Sequence, residues 1–78
     1  MILKIIESNY IPIGYTQIIY RDISESTSSN GTVFFHESDS TFSMSLEREY
    51  PLEVGEIYEI TLTREVHTNL VKDIKKIM

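Results

Sequence analysis

Two stretches of the chain alternate strictly between apolar and polar positions. Residues 41–47 read T-F-S-M-S-L-E, and residues 58–64 read Y-E-I-T-L-T-R. Successive side chains of a strand point to opposite faces, so each stretch predicts a strand with one dry and one wet side. Phe42, Met44 and Leu46 form the first dry face, and Tyr58, Ile60 and Leu62 the second.

The remaining pattern predicts further short strands separated by polar turns. Residues 2–7 are an apolar run that Ser8-Asn9 punctuates. Residues 10–15 alternate, but Pro12 cannot donate to a ladder, so this piece is expected at an edge or as irregular chain, with Gly14 as a bulge or bend. Residues 17–23 predict the next strand. Residues 24–31, S-E-S-T-S-S-N-G, are polar, aperiodic and end in a turn dipeptide, which predicts a long mobile hairpin loop. Residues 32–37 predict a strand that pairs as a hairpin with 41–47 through Ser38-Asp39-Ser40. Residues 49–55 read as a connection broken by Pro51. Residues 57–66 are expected to be the longest strand. In the last nine residues Leu70, Ile74, Ile77 and Met78 have helical spacing. A nine-residue helix without Ala is marginal, and a closing strand beside 57–66 is preferred. The expected fold is all-β: one domain over residues 1–78, a small antiparallel barrel or sandwich of five to six strands, oligonucleotide-binding-like or similar. Closure removes unpaired edges. The expected core is Leu3, Ile5, Ile18, Tyr20, Val33, Phe35, Phe42, Met44, Leu46, Tyr58, Ile60, Leu62 and Ile74.

Composition sharpens this picture. The chain has 78 residues, twelve of them Ile and none of them Ala, Cys or Trp. Lack of Ala disfavours helix, and abundant Ile, Val, Thr and Tyr favours strands. Without Cys there is no disulfide and no thiolate metal site, so a core this small needs good packing, a partner or self-association. No apolar run is long enough to span a bilayer as a helix. The opening M-I-L-K-I-I-E-S-N-Y does not fit a secretory signal, and a cytoplasmic location with no membrane contact is expected. The net charge is −5. Residues 37–65 carry two Arg against eight acids, and residues 66–78 three Lys against Asp73. The middle is acidic and the end mildly basic.

Little in the sequence carries catalytic chemistry. His36 and His67 have no metal-ligand spacing, no nucleophile elbow surrounds any Ser, and the three glycines stand apart. No catalytic residue, metal or cofactor is assigned. The acidic block suggests that Glu37, Asp39, Glu47, Glu49, Glu59 and Glu65 contact a protein with a basic surface, since complementary charge raises on-rate and specificity. The competing interpretation is a solvated sheet face. Tyr10, Tyr15 and Phe34 with Arg21, Lys72, Lys75 and Lys76 are the alternative set, for stacking and phosphate contacts to single-stranded nucleic acid or a nucleotide. Seven basic residues against twelve acids count against it.

The stretch F-F-H-E-S-D-S-T-F-S-M-S-L-E (residues 34–47), followed by P-L-E-V-G-E-I-Y-E-I-T-L (residues 51–62), resembles a pattern in short phage-encoded β proteins of unassigned function. The abundance of residues with AT-rich codons agrees with a phage of a low-GC bacterium. The resemblance implies an accessory protein that binds and redirects a host factor, or a virion component. Together these readings favour a non-enzymatic interaction module that binds a host protein or assembles with itself as a homo-oligomer.

Overall fold

Six strands account for most of the chain, and among the described residues there is no helix. A computed structural model describes residues 1–65 and 68–77. The strands are β1 (Ile2–Ile11), β2 (Tyr15–Thr27), β3 (Val33–Glu37), β4 (Phe42–Leu46), β5 (Ile57–Glu65) and β6 (Thr68–Lys76). Their hydrogen bonding runs in a ring, β1-β5-β6-β4-β2 and back to β1, with β3 attached to β2. The all-β expectation holds, and the closing segment is a strand antiparallel to β5.

One joint of the ring departs from the antiparallel expectation. β4 and β6 are parallel and meet at a single pair, Leu46 opposite Asn69. The reason is parity. A ring of five strands cannot alternate direction all the way round, so one neighbouring pair must run the same way. That pair is also the least extensive, and side chains reinforce it.

Residues 10–15 are not a separate piece. β1 runs through Ser8-Asn9 to Ile11, and Pro12-Ile13-Gly14 turns the chain into β2. Gly14 donates its N–H to the Ile11 carbonyl at 2.9 Å and has φ near +113°. Pro at a non-donating turn position and Gly at positive φ are what such a turn needs. Pairing between β1 and β2 slips by one residue between Ile5 and Glu7, a bulge that bends β1 so that its first residues also reach β5.

The expected β3–β4 hairpin does not form. β3 and β4 both pair antiparallel with β2, one after the other: Ile23–Thr27 face Val33–Glu37, and Thr16–Tyr20 face Phe42–Leu46. Three steps along β2, from Ile23 to Tyr20, correspond to five from Glu37 to Phe42. The polar 38–41 segment is therefore an insertion within one long pairing, not a reversal. The polar loop also shrinks. Ser24–Thr27 are strand, and the turn is Ser28 to Thr32, where Ser28 N–H donates to the Thr32 carbonyl at 2.8 Å.

The core lies inside the ring. Leu3, Ile5, Ile18, Tyr20, Leu46, Tyr58 and Ile60 are buried together, with Met44, Leu62 and Ile74 packed against them. Val33, Phe35 and Phe42, expected in this core, are exposed. Residues 33–37 pair only with the part of β2 that neither β1 nor β4 covers, so no other described strand lies over them. Ile23 is buried outside this cluster.

Candidate interaction surface

The paired ends of β2 and β3 form an arm that leaves the ring. β2 has 13 residues and at ~3.3 Å each reaches ~43 Å. That length is close to the long dimension of a molecule measuring 48 × 23 × 21 Å. The Cα radius of gyration is 13.6 Å, against ~11.5 Å for a compact chain of this length. Every residue of β3 is exposed.

This arm carries an unusual load of apolar surface. Val33, Phe34, Phe35 and Phe42 remain 50%, 49%, 44% and 43% exposed. Strand alternation puts Val33 and Phe35 on one face with Ile23, Glu25 and Thr27, and Phe34 and His36 on the other with Ser24 and Ser26. Three consecutive apolar residues thus give both faces of a two-stranded ribbon apolar character. On the second face Ser26 Oγ and His36 Nε2 lie 2.8 Å apart. At the base, Tyr20 and Phe42 pack at a centroid distance of 5.8 Å.

Glu37 anchors the arm to the ring. Its carboxylate accepts from Lys4 Nζ at 3.0 Å and from Arg21 at 3.1 Å. The hydrogen bond from Lys4 outweighs the opposing effect of burial and, with the Arg21 hydrogen bond and both positive charges, holds its carboxyl below the ordinary range. Its charge is already engaged within the chain.

A second polar cluster closes the β4–β6 joint. Thr16, fully buried, donates its hydroxyl to the Arg48 carbonyl at 2.7 Å and accepts the Tyr50 N–H at 3.1 Å. Glu47 accepts from the Tyr50 hydroxyl and, through Oε2, from the Val71 N–H at 3.0 Å. Burial pushes the Glu47 carboxyl upward, but these hydrogen bonds and the nearby Arg48 charge bring it below its ordinary value. Burial and the bond to Glu47 raise the Tyr50 hydroxyl. The Arg48 guanidinium lies 5.3 Å from the Tyr50 ring centroid. These groups hold the ring shut. An open cleft of about 560 Å³ adjoins them, between Ile13, Tyr15, Ser45, Glu47 and Asn69.

The acidic residues singled out in the sequence do not act alike. Glu37 and Glu47 are bound internally, while Asp39 and Glu49 are exposed on two separate connections. Glu59 faces Lys75 across the β5–β6 pair, and Glu65 ends β5. Of the alternative set, Tyr10 is exposed at the end of β1, Tyr15 opens β2 beside the cleft, and Phe34 is on the arm. Arg21 is ion-paired with Glu37, and Lys76 reaches Glu53 and Glu56 at 3.6 and 3.8 Å. Lys72 and Lys75 are exposed on β6. The aromatic and basic members lie on different elements. Among the described residues no cluster of three metal-ligating side chains occurs; His67 lies outside them.

The alternation of Val33 and Phe35 suits a core strand, so pattern alone does not reveal the arm. The run Val33-Phe34-Phe35 was the available signal: unbroken apolar residues in a strand flanked by polar chain cannot all face one core. No known protein family, characterised protein or solved structure matches the chain.

Proposed function

We propose that this chain is a non-enzymatic interaction module that grips a protein through the β2–β3 arm. The observation that carries the reading is the exposure of Val33, Phe34 and Phe35 on a strand that pairs, among the described strands, with β2 alone. A two-stranded ribbon alone is marginal in water, and contiguous exposed apolar surface marks interaction sites. Glu25 on the arm and Asp39 beside it favour a partner with a basic rim around an apolar centre. The setting we propose is the cytoplasm of a bacterial host, with the chain as a phage-derived accessory protein.

The test is capture from a host lysate by immobilised full-length protein, comparing wild type with the double variant Phe34→Ser and Phe35→Ser. Stoichiometric capture of a defined protein that the variant loses supports the reading. Absence of any arm-dependent binding, including to the chain itself, overturns it.

A second reading, a single-stranded nucleic-acid-binding barrel, has one observation in its favour. The cleft beside Tyr15 lies along β2, β4 and the β1–β2 turn, the region that oligonucleotide-binding barrels use. The charged side chain there is Glu47, which opposes phosphate. Titration with labelled single strands at low salt decides it, because non-specific binders of this kind reach about 10⁻⁴ to 10⁻⁶ M.

A further inference from the structure

β3 has a free edge whose register can be read from the β2–β3 ladder. Ser38 N–H donates to the Asp22 carbonyl at 2.9 Å, and Ser28 N–H to the Thr32 carbonyl at 2.8 Å. These mark hydrogen-bonded pairs at both ends of the ladder. Such pairs alternate with non-bonded ones along an antiparallel ladder. Ser24–His36 and Ser26–Phe34 are therefore the bonded pairs between β2 and β3. The N–H and C=O groups of Val33, Phe35 and Glu37 point away from β2, and β3 pairs with no other described strand.

Edge strands are normally blunted by Lys, Pro, a bulge or a covering segment. Val33–Glu37 has no Lys and no Pro, its pairing with β2 is regular, and all five residues are exposed.

Resting on the arm as the interaction surface, we propose that its occupant is a second copy of this chain, β3 adding antiparallel to β3 about a two-fold axis at Phe35. Bonded pairs must join odd-numbered residues of both copies, because only those present free backbone groups, and an axis at Phe35, the middle residue, is the one such register that pairs all of Val33–Glu37. Phe35 then faces Phe35 of the second copy as a bonded pair. Val33 faces Glu37 of the second copy, and Phe34 faces His36. No like charges stand opposite each other. Glu37 brings no free charge, since Lys4 and Arg21 hold it. The two Glu25 side chains end three strand spacings apart, ~14 Å, beyond the ~8 Å screening length at physiological salt.

Surface area agrees with an arm that stands clear of the ring. The chain exposes 5420 Å² at 9.1 kDa, whereas a compact monomer of that mass exposes ~4,900 Å². The product is a four-stranded sheet joining two rings, with isologous contacts.

Mass measurement on the full chain by sedimentation equilibrium, from about 10 μM to 1 mM, tests this directly. Wild type is expected to move from monomer to dimer across the range. Phe35→Lys places two ammonium groups at the axis and should weaken association by at least about tenfold. Val33→Pro removes an outward N–H that β2 does not use, and should do the same with the strand spectrum unchanged. Hydrogen exchange gives an independent readout: the amides of Val33, Phe35 and Glu37 gain protection with concentration, while those of Phe34 and His36 are protected throughout. A wild type that stays monomeric, a dimer that survives both substitutions, or protection gained elsewhere overturns the proposal. A strict monomer that still captures another protein through the arm defeats the second copy and leaves the interaction reading standing. A monomer that captures nothing removes both.

Discussion

Glu47 Oε2 accepts the backbone N–H of Val71 at 3.0 Å, so a side chain from the end of β4 takes the place of a strand partner. The joint it serves has only one backbone pair, Leu46 with Asn69. Beyond that pair β4 ends, and the edge of β6 would be open. A carboxylate with two acceptor oxygens can satisfy Val71 and the Tyr50 hydroxyl at once. The parallel joint that an odd ring demands is thus completed by chemistry that a regular ladder supplies elsewhere.

Glu47→Ala should destabilise the fold by about 1–3 kcal/mol, the cost of leaving partly buried donors without an acceptor. Glu47→Gln, which keeps an oxygen for Val71 but not the charge, should fall between that variant and wild type. Chemical denaturation at neutral pH measures both.

The pH dependence follows from the same site. The Glu47 carboxyl is held below its ordinary value of 4.5 in the folded chain. Its contribution is therefore complete above that value and is lost as pH falls through the lower folded value. The stability gap between wild type and Glu47→Ala should be constant from neutral pH down to about 5 and should narrow below about 4.5. A gap that widens in acid contradicts this assignment.

Gly14 has φ near +113° in the β1–β2 turn, with open space where a Cβ would stand. Gly14→Ala should cost about 1–3 kcal/mol through backbone strain alone. Thermal unfolding should show this without any change in the packing of the core.

How far the sequence could be read depended on where each strand lies. Tyr58, Ile60 and Leu62 alternate along a strand that is part of the ring, and alternation alone places them inward. Phe42, Met44 and Leu46 alternate as well, yet run from exposed through half-buried to buried. The Leu46 end sits in the ring and the Phe42 end sits at the base of the arm. Period-two patterning reports which face a residue is on and not whether anything covers that face. Ser38-Asp39-Ser40 looks like a turn for the same local reason: polar chemistry that reverses a chain also fits a two-residue insertion. Thr16 gave no signal at all, because its role depends on Arg48 and Tyr50, more than thirty residues away. The arm is legible only as an inconsistency: Val33, Phe34 and Phe35 are three apolar neighbours in a strand and cannot share one dry face.

Thr16→Val tests whether that long-range link matters as much as the buried apolar core. The substitution keeps the shape and removes the hydroxyl, leaving the Arg48 carbonyl and the Tyr50 N–H unpaired. A loss of about 2–3 kcal/mol is expected, and Thr16→Ser should lose only about 1 kcal/mol. Urea midpoints at unchanged slope distinguish the two.

Leu46 and Phe42 offer the sharpest contrast between pattern and structure. Both lie on the dry face of one alternating strand, and pattern alone gives them equal weight. Leu46 is completely buried at the β4–β6 joint, whereas Phe42 keeps nearly half its surface in water. Leu46→Ala removes packing that cannot collapse easily and should cost about 2–5 kcal/mol. A chain of this size has roughly 4–12 kcal/mol in total, so that variant should sit near the limit of folding. Phe42→Ala loses contact with Tyr20 but leaves no enclosed cavity, and about 1 kcal/mol is expected. At about 4–8 °C per kcal/mol for a domain this small, thermal melts separate them clearly. Equal losses would mean that the arm's base is covered in solution. Covered aromatic residues at that position would in turn require a partner on the arm, so the pair of melts should be recorded both below and above the concentration at which the chain associates.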